Sequence, residues 1–226
     1  MTLVLGLDSA TDACSAAVLR DGLVTGYRFE TLKRGHAERL MPIIRDVMAE
    51  AGVSFTELNL IATTVGPGGF TGLRIGLASA RGLALAAGLP LVGVTTLETV
   101  ARAHPSRKIP LLVALDTKRT DIYLQLFDPG CLPMNDPAAV MPSEIAHTLP
   151  DGPIIVAGNA REIVVSALND PTRVRVVAQG PVLPDAALVA TIGCERFTAC
   201  PDAALTLPGA LYLRPPVTRL PGTLPS

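Results

Sequence analysis

A glycine-rich corner between a strand and a helix constrains the fold more than any other feature. The apolar run 58–65 predicts a buried strand, and the segment Leu73–Ala87 predicts a helix. Between them, the stretch Gly66–Arg74 holds four glycines and a proline, which permit turns that a Cβ would resist. Thr71 is placed to cap the helix. Such a corner can bind phosphate through free amides, but its spacing matches neither a P-loop nor a dinucleotide fingerprint and favours a tight connection.

The helix after this corner carries small residues on nearly every face, so another helix could approach it closely. Arg74 and Arg81 lie seven residues apart and share a face. Either the helix is buried between a sheet and its neighbour, or its outer face, with that of the preceding helix, packs against another protein.

The N-terminal residues predict a three-stranded antiparallel meander. An apolar strand ends at Asp8, a turn covers 9–12, and Asp21-Gly22 indicates a hairpin between the next two strands. Asp8 could position a metal ion or a water, and it could equally cap the turn.

The helix that follows begins at His36 and ends before Gly52, with one apolar stripe that includes Leu40 and Ile44. Leu40 stands one turn after His36, where a second histidine would be needed for a metal-binding pair. A lone histidine here is better explained as a cap or a surface residue.

Composition excludes several classes of protein. The net charge is −1 and aromatic residues make up 4%, which argues against a large nucleic-acid footprint or a stacking platform for bases. The four cysteines form no CxxC pair, so neither a zinc site nor a redox motif is indicated. No apolar run is long enough for a bilayer, and the sequence predicts a soluble cytoplasmic protein.

The alternation of strands and helices predicts a mixed sheet covered by helices. A polar, proline-bounded linker at 104–110 predicts a domain boundary, giving lobes 1–105 and 106–226. The second half again begins with an apolar strand ending in aspartate, Asp116, which is a weak sign of a duplicated fold. Residues 217–226 are predicted to be a tail.

Several segments together resemble one protein family. They are Leu7–Thr11, Gly35–Glu38, Gly66–Gly76, Ala114–Arg119 before Ile122-Tyr123, and Tyr212-Leu213-Arg214. Their order is that of the TsaB (YeaZ) family of partner subunits in tRNA threonylcarbamoyladenosine synthesis, and the resemblance covers nearly the whole chain.

The resemblance implies an α/β, actin-like ATPase (ribonuclease H-like) fold of two lobes, with mixed sheets, flanking helices and a reduced C-terminal lobe. It implies a non-catalytic scaffold that binds the transferase subunit TsaD through the two N-lobe helices. TsaE would join with ATP, and the chain alone would pair as a homodimer. No intrinsic cofactor or metal is implied, although ATP or ADP could bind at the complex interface, and tRNA would be held mainly through TsaD.

The resemblance and the helix patterns together give a predicted set of site residues. The partner interface comprises His36, Glu38, Leu40, Met41, Ile44, Leu73, Arg74, Leu77, Ala78 and Arg81. A shared nucleotide or phosphate contact would use Asp8, Gly68, Gly69 and Thr71. The alternative hypothesis is a nucleotide-hydrolysing or kinase-like enzyme of the same fold that uses Asp8, and a peptidase is the least favoured.

Overall fold

Two five-stranded mixed sheets organise the chain. The computed structural model describes residues 2–104, 108–170, 172, 174–176, 180–202 and 206–214. The first sheet contains β1 (Leu3–Thr11), β2 (Ala13–Arg20), β3 (Leu23–Thr31), β4 (Leu60–Gly66) and β5 (Leu91–Thr95). The second contains β6 (Leu111–Asp116), β7 (Ile122–Phe127), β8 (Ala138–Val140), β9 (Ile154–Ala157) and β10 (Val174–Val176).

The first sheet has the order β3-β2-β1-β4-β5, with β1 at its centre. β1 is antiparallel to β2, where Leu5 lies opposite Val18, and parallel to β4, where it lies opposite Ile61. Asp21 and Gly22 have positive φ angles of 48° and 84°, which confirms the predicted hairpin turn. A central strand of this kind is hydrogen-bonded on both edges and buried on both faces.

The prediction that the first strand ends at Asp8 is wrong. β1 continues to Thr11, so residues 9–11 of the predicted turn are strand, with an irregular register against β2 between Asp8 and Thr11, and only Asp12 forms the bend to β2. The sequence misled because aspartate, serine and threonine favour turns. In the structure Thr64 of β4 donates to Asp8 Oδ1, and Ser9 Oγ donates to the Gly72 carbonyl of the helix packed on β1.

Among the described residues, three α-helices cover the first sheet and three pack on the second. The six are α1 (His36–Ala51), α2 (Phe70–Ala87), α3 (Thr96–Arg102), α4 (Ile145–Thr148), α5 (Arg161–Leu168) and α6 (Ala186–Ala199). On one face of the first sheet, α1 and α2 pack against β1 and β2. The other face is covered by α6, whose Val189 and Ile192 contact β4 and β5.

The second sheet has the order β10-β9-β6-β7-β8 and repeats the central antiparallel and parallel pairing at β6. Its one face is covered by α4 and α5, and α3 packs on the other. Thus α3, which follows the first sheet in sequence, packs on the second sheet, and α6, which follows the second sheet, covers the first. The boundary between residues 105 and 106 and the tail 217–226 lie outside the described residues, and the division into two lobes stays a prediction.

Candidate partner face and interlobe cleft

A stripe of glycines presses the start of α2 onto β1. A Cβ added to Gly68 would overlap the carbonyl oxygen of Ala10, and one added to Gly72 would overlap that of Ser9. A Cβ at Gly76 would lie 2.7 Å from Ser9 Oγ, and this hydroxyl donates to the Gly72 carbonyl at 2.9 Å. These glycines therefore fix how closely and at what angle the helix leaves the sheet.

Two hydrogen bonds hold the corner in place. The Gly69 amide donates to the Ala10 carbonyl at 2.7 Å, and Thr96 Oγ1 donates to the Pro67 carbonyl at 2.5 Å. Gly69 is also the N-cap of α2, with no side-chain cap. The predicted capping role of Thr71 is wrong, because the helix starts three residues earlier than expected and Thr71 lies within its first turn, exposed.

The outer face of α2 is small and apolar. Thr71, Ala78, Gly82 and Leu85 fall within one exposed stripe at helical spacing, and Leu85 is 85% exposed. A Cβ at Gly82 would meet nothing within 4 Å. We call this stripe the α2 outer face, and nothing in the described part of the chain covers it.

Four residues of the predicted partner interface are buried in the chain's own core. Leu40 and Ile44 pack from α1 onto the first sheet, while Leu73 and Leu77 cluster with Ala10 and Val65. Their side chains are at most 5% exposed, so they hold the helices in place and do not reach a partner on this surface. The apolar stripe that was predicted to contact a partner is the inward face of the helices. These four residues are therefore removed from the predicted interface.

The remaining predicted interface residues lie at the surface or near it. Glu38 is exposed in the first turn of α1, and Met41 is 44% exposed. His36 is half-buried, and its Nε2 lies 2.8 Å from the Thr11 carbonyl oxygen, which ties α1 to the end of β1. Ala78 is on the α2 outer face.

Arg74 and Arg81 are on one side of α2, where they hold a C-terminal segment, residues 206–214, that we call the strap. Arg81 Nη2 donates to the Pro208 carbonyl at 2.5 Å, and Arg74 Nε donates to Tyr212 Oη at 3.2 Å. The Leu211 amide donates to the Val65 carbonyl at 2.7 Å. Both arginines thus bind the strap within the chain, which leaves them at the rim of the α2 outer face.

A cleft of about 510 Å³, which we call the interlobe cleft after the two predicted lobes, lies between the starts of α1 and α2 and the β6–β7 turn. Lys118 links the two sheets there: its Nζ lies 2.7 Å from Asp12 Oδ2 and 3.2 Å from Asp116 Oδ2. Of the predicted nucleotide contacts, Gly68, Gly69 and Thr71 line this cleft. The nearby Lys118 ammonium is already neutralised by two carboxylates.

Asp8 is not among the residues that line the cleft. It is fully buried in β1, where its Oδ1 accepts from Thr64 Oγ1 at 2.7 Å and from the Ala10 amide at 3.2 Å. Burial raises the pKa of Asp8 to about 7, against the opposing effect of these two hydrogen bonds. The prediction that Asp8 meets a nucleotide or phosphate is therefore wrong in this structure, because the continuation of β1 encloses it.

Side chains that line the cleft were missed as site residues. Asp12, Lys118, Tyr123 and Asn159 contribute to its walls, and Arg119 lines a neighbouring pocket. Three of them stand in or beside the Ala114–Arg119 and Ile122-Tyr123 motifs that carried the family resemblance. The apolar strand that ends at Asp116 was a usable signal, because Asp116 lines the cleft.

The two sheets with their central parallel and antiparallel pairing define a protein of the actin-like ATPase fold. Among solved structures, the ROK hexokinase of Thermus thermophilus shares that fold at a TM-score of 0.50 and 13% identity, over 86% of this chain and 99% of that chain. Two Pseudomonas aeruginosa structures are more similar. YeaZ matches with a TM-score of 0.76 and 26% identity, over 88% of this chain and 93% of its own. A protein described as similar to peptidase YeaZ matches with a TM-score of 0.82 and 27% identity, over 95% and 100%.

Sequence relatives agree with the structural ones. The tRNA threonylcarbamoyladenosine biosynthesis protein TsaB of Escherichia coli K12 is 38% identical over 149 residues, 64% of each chain. That of Haemophilus influenzae is 34% identical over 124 residues, 53% of this chain and 51% of its own. The matches thus span about half to two thirds of these relatives' length. Residues 26–174 match the family described as TsaD, tRNA N6-adenosine threonylcarbamoyltransferase.

The chain belongs to this family, and its relatives place it with the TsaB/YeaZ proteins. In the described part of the chain, no group of three or more histidine, cysteine, aspartate or glutamate side chains could hold a metal ion. No described helix combines the length and apolar character needed to cross a membrane.

Proposed function

We propose that the chain is a non-catalytic subunit that binds TsaD through the α2 outer face. In this role it supports the formation of threonylcarbamoyladenosine next to the anticodon of tRNA. The observation that carries the proposal is Gly82, an exposed glycine in the middle of a helix with open space beside it, followed by the exposed Leu85.

Within the described residues, Gly82 makes no close contact that would explain a glycine at this position. Glycine inside a helix costs about 1 kcal/mol relative to alanine. The close approach to β1 accounts for Gly72 and Gly76, but no neighbour lies within reach of Gly82. A partner helix packed closely on this face would account for it, since small residues let two helix backbones approach. The same contact would remove Leu85 from water.

The names of the relatives support the choice of reaction in this proposal. Two of them carry the name tRNA threonylcarbamoyladenosine biosynthesis protein. A tRNA N6-adenosine threonylcarbamoyltransferase of Erythrobacter litoralis is 40% identical over 114 residues, 43% of this chain and 33% of its own. A shared fold favours a pseudo-symmetric pair in which equivalent helices meet. The same face would pair two copies of this chain in the absence of TsaD, and TsaE would join the heterodimer.

A charged residue on the α2 outer face tests the proposal. Ala78→Asp places a carboxylate in the centre of the proposed contact without altering the core, because Ala78 is exposed. We expect it to abolish co-purification with TsaD and to reduce tRNA modification reconstituted with TsaC, TsaD and TsaE. Ala167→Asp makes the same change at an exposed position of α5 and should leave both unaffected. Retained binding and full modification with Ala78→Asp would refute the proposal.

A nucleotide at the junction with TsaD remains part of the proposal, with fewer contact residues than the sequence predicted. Gly68, Gly69 and Thr71 line the interlobe cleft and could contact ATP or ADP there, whereas Asp8 is enclosed. The alternative of a nucleotide-hydrolysing or kinase-like enzyme needs Asp8 at the phosphates, and no observation favours it over the scaffold.

A further inference from the structure

We propose that a pocket between the strap and the β6–β7 turn binds a nucleotide, with the base against Phe70 and Tyr212 and the phosphate on Arg119 and Arg214. The pocket has a volume of about 350 Å³. We call it the strap pocket. In this pocket side chains would contact the nucleotide, whereas the contact predicted from the sequence used the backbone of Gly68–Thr71.

Aromatic side chains converge on the strap pocket. The chain has three tyrosines, five phenylalanines and no tryptophan, yet Phe70, Tyr123 and Tyr212 all line this one cavity. The Phe70 and Tyr212 rings lie 5.7 Å apart between centroids at 37°, and each residue is 46% exposed. The low aromatic content argued against a stacking platform, but the fold gathers enough rings at one place to form one.

Positive charge is concentrated at the same place. Arg74, Arg119 and Arg214 line the strap pocket, and no acidic residue is among the described residues that do. Arg74 lies over the Phe70 ring at 3.6 Å, and Arg214 lies 5.9 Å from the centroid of the Tyr123 ring. This arrangement holds the guanidinium groups in place before any ligand arrives.

Arg119 and Arg214 differ in their acidic partners. Arg214 forms an ion pair with Asp121, which does not line the pocket. Arg119 is exposed and has no acidic partner among the residues that the structure describes. Burial and the nearby Arg119 charge both lower the pKa of Arg214. A phosphate between the two guanidinium groups would relieve their repulsion and accept bidentate hydrogen bonds.

Size and chemistry together select a nucleotide. A cavity of about 350 Å³ is at the small end of the range for ligand sites. Exposed rings favour a planar base, and paired arginines favour a phosphate. One ligand unit that carries both is a nucleotide, either free or within single-stranded RNA.

Binding to the isolated chain tests the proposal, with AMP and a five-nucleotide single-stranded RNA as the probes. Tyrosine fluorescence is a direct readout, because two of the three tyrosines line the pocket and no tryptophan interferes. Adenosine and ribose 5-phosphate serve as half-ligands. We expect AMP or the RNA to bind and quench, and each half-ligand to bind at least about tenfold more weakly. Tighter binding of AMP would support a free nucleotide, and tighter binding of the pentanucleotide would support RNA.

A charge-reversal variant tests whether the probe binds in the strap pocket. Arg119→Glu should weaken binding of the better probe by at least about tenfold. Arg45→Glu, on α1 with a side chain 79% exposed, makes the same change elsewhere and should have no effect. Ribose 5-phosphate binding as tightly as AMP, unchanged affinity in Arg119→Glu, or no binding of either probe would each overturn the proposal. These outcomes are independent of TsaD binding, which is tested at Ala78.

Discussion

Asp8→Asn is predicted to change how the stability of the protein depends on pH. The carboxyl group is fully buried in the central strand, and its pKa is raised from an ordinary value of 3.8 to about 7, first of all by desolvation. A raised pKa means that the folded state disfavours the charged form. Between pH 3.8 and about 7 the folded protein therefore binds more protons than the unfolded chain, and stability falls as the pH rises.

The size of this effect follows from the shift. Three pKa units at about 1.4 kcal/mol each give a penalty on the order of 4 kcal/mol above pH 7, which is absent well below pH 4. Asparagine is neutral at every pH, so the variant does not have this penalty. Its amide oxygen can accept the bonds from Thr64 and Ala10, whereas its amide nitrogen would replace Oδ2, which has no hydrogen-bond partner among the described residues. That unpaired donor costs about 1–3 kcal/mol at every pH.

Urea denaturation of both proteins at pH 4.5 and pH 8 measures the prediction. The free energy of unfolding of the variant, relative to the natural chain, should rise by about 3 kcal/mol between the two pH values. The constant cost of the amide cancels in this comparison. Asp151→Asn, at an exposed position, controls for loss of a charge. A relative stability of Asp8→Asn that is the same at both pH values, or that falls with pH, would refute the reasoning.

Three further predictions concern individual contacts within the chain. Gly72→Ala should destabilise the protein by about 1–3 kcal/mol, because the added Cβ overlaps the Ser9 carbonyl. Gly82→Ala should stabilise it by up to about 1 kcal/mol. Urea denaturation measures both, and equal effects of the two substitutions would contradict the roles assigned to these glycines. Lys118→Met should cost less than about 1 kcal/mol, because the ammonium is 59% exposed, and faster amide hydrogen exchange at the β6–β7 turn would report the lost link. Tyr27→Phe removes the hydrogen bond of 2.6 Å to Asp185, the N-cap of α6. A loss of about 1 kcal/mol in thermal unfolding is expected, and no change would show the bond to be unimportant.

The fold was largely predictable because its signals are local. The hairpin at Asp21-Gly22 and the α1 stop at Gly52 require positive φ angles, and the structure has them. The apolar stripe of α1 correctly marked a helix, but periodicity alone could not say that Leu40 and Ile44 face the chain's own sheet. A stripe shows which residues seek burial, and only the tertiary arrangement shows what buries them.

The candidate site was less predictable because distant segments build it. Asp8 looked like the end of a strand, since no local pattern reveals that Thr64 satisfies its carboxyl group. The strap pocket joins Phe70, Tyr123 and Tyr212, which are far apart in the sequence. The glycines of α2 were recognised as permitting close approach, but which of them meet β1 and which face outward depends on the packing.

The position of α6 has a consequence for how the protein is made. Val189 belongs to one buried cluster with Val4 and Leu60, so the last described helix completes the core of the first sheet. A ribosome adding about 5–20 residues per second would need on the order of 10–40 s to make the chain between Val4 and Val189. Throughout that interval one apolar face of the nascent sheet has no cover. Until α6, which is encoded after both sheets, has been made, this apolar face of the first sheet is exposed to chaperones or to aggregation.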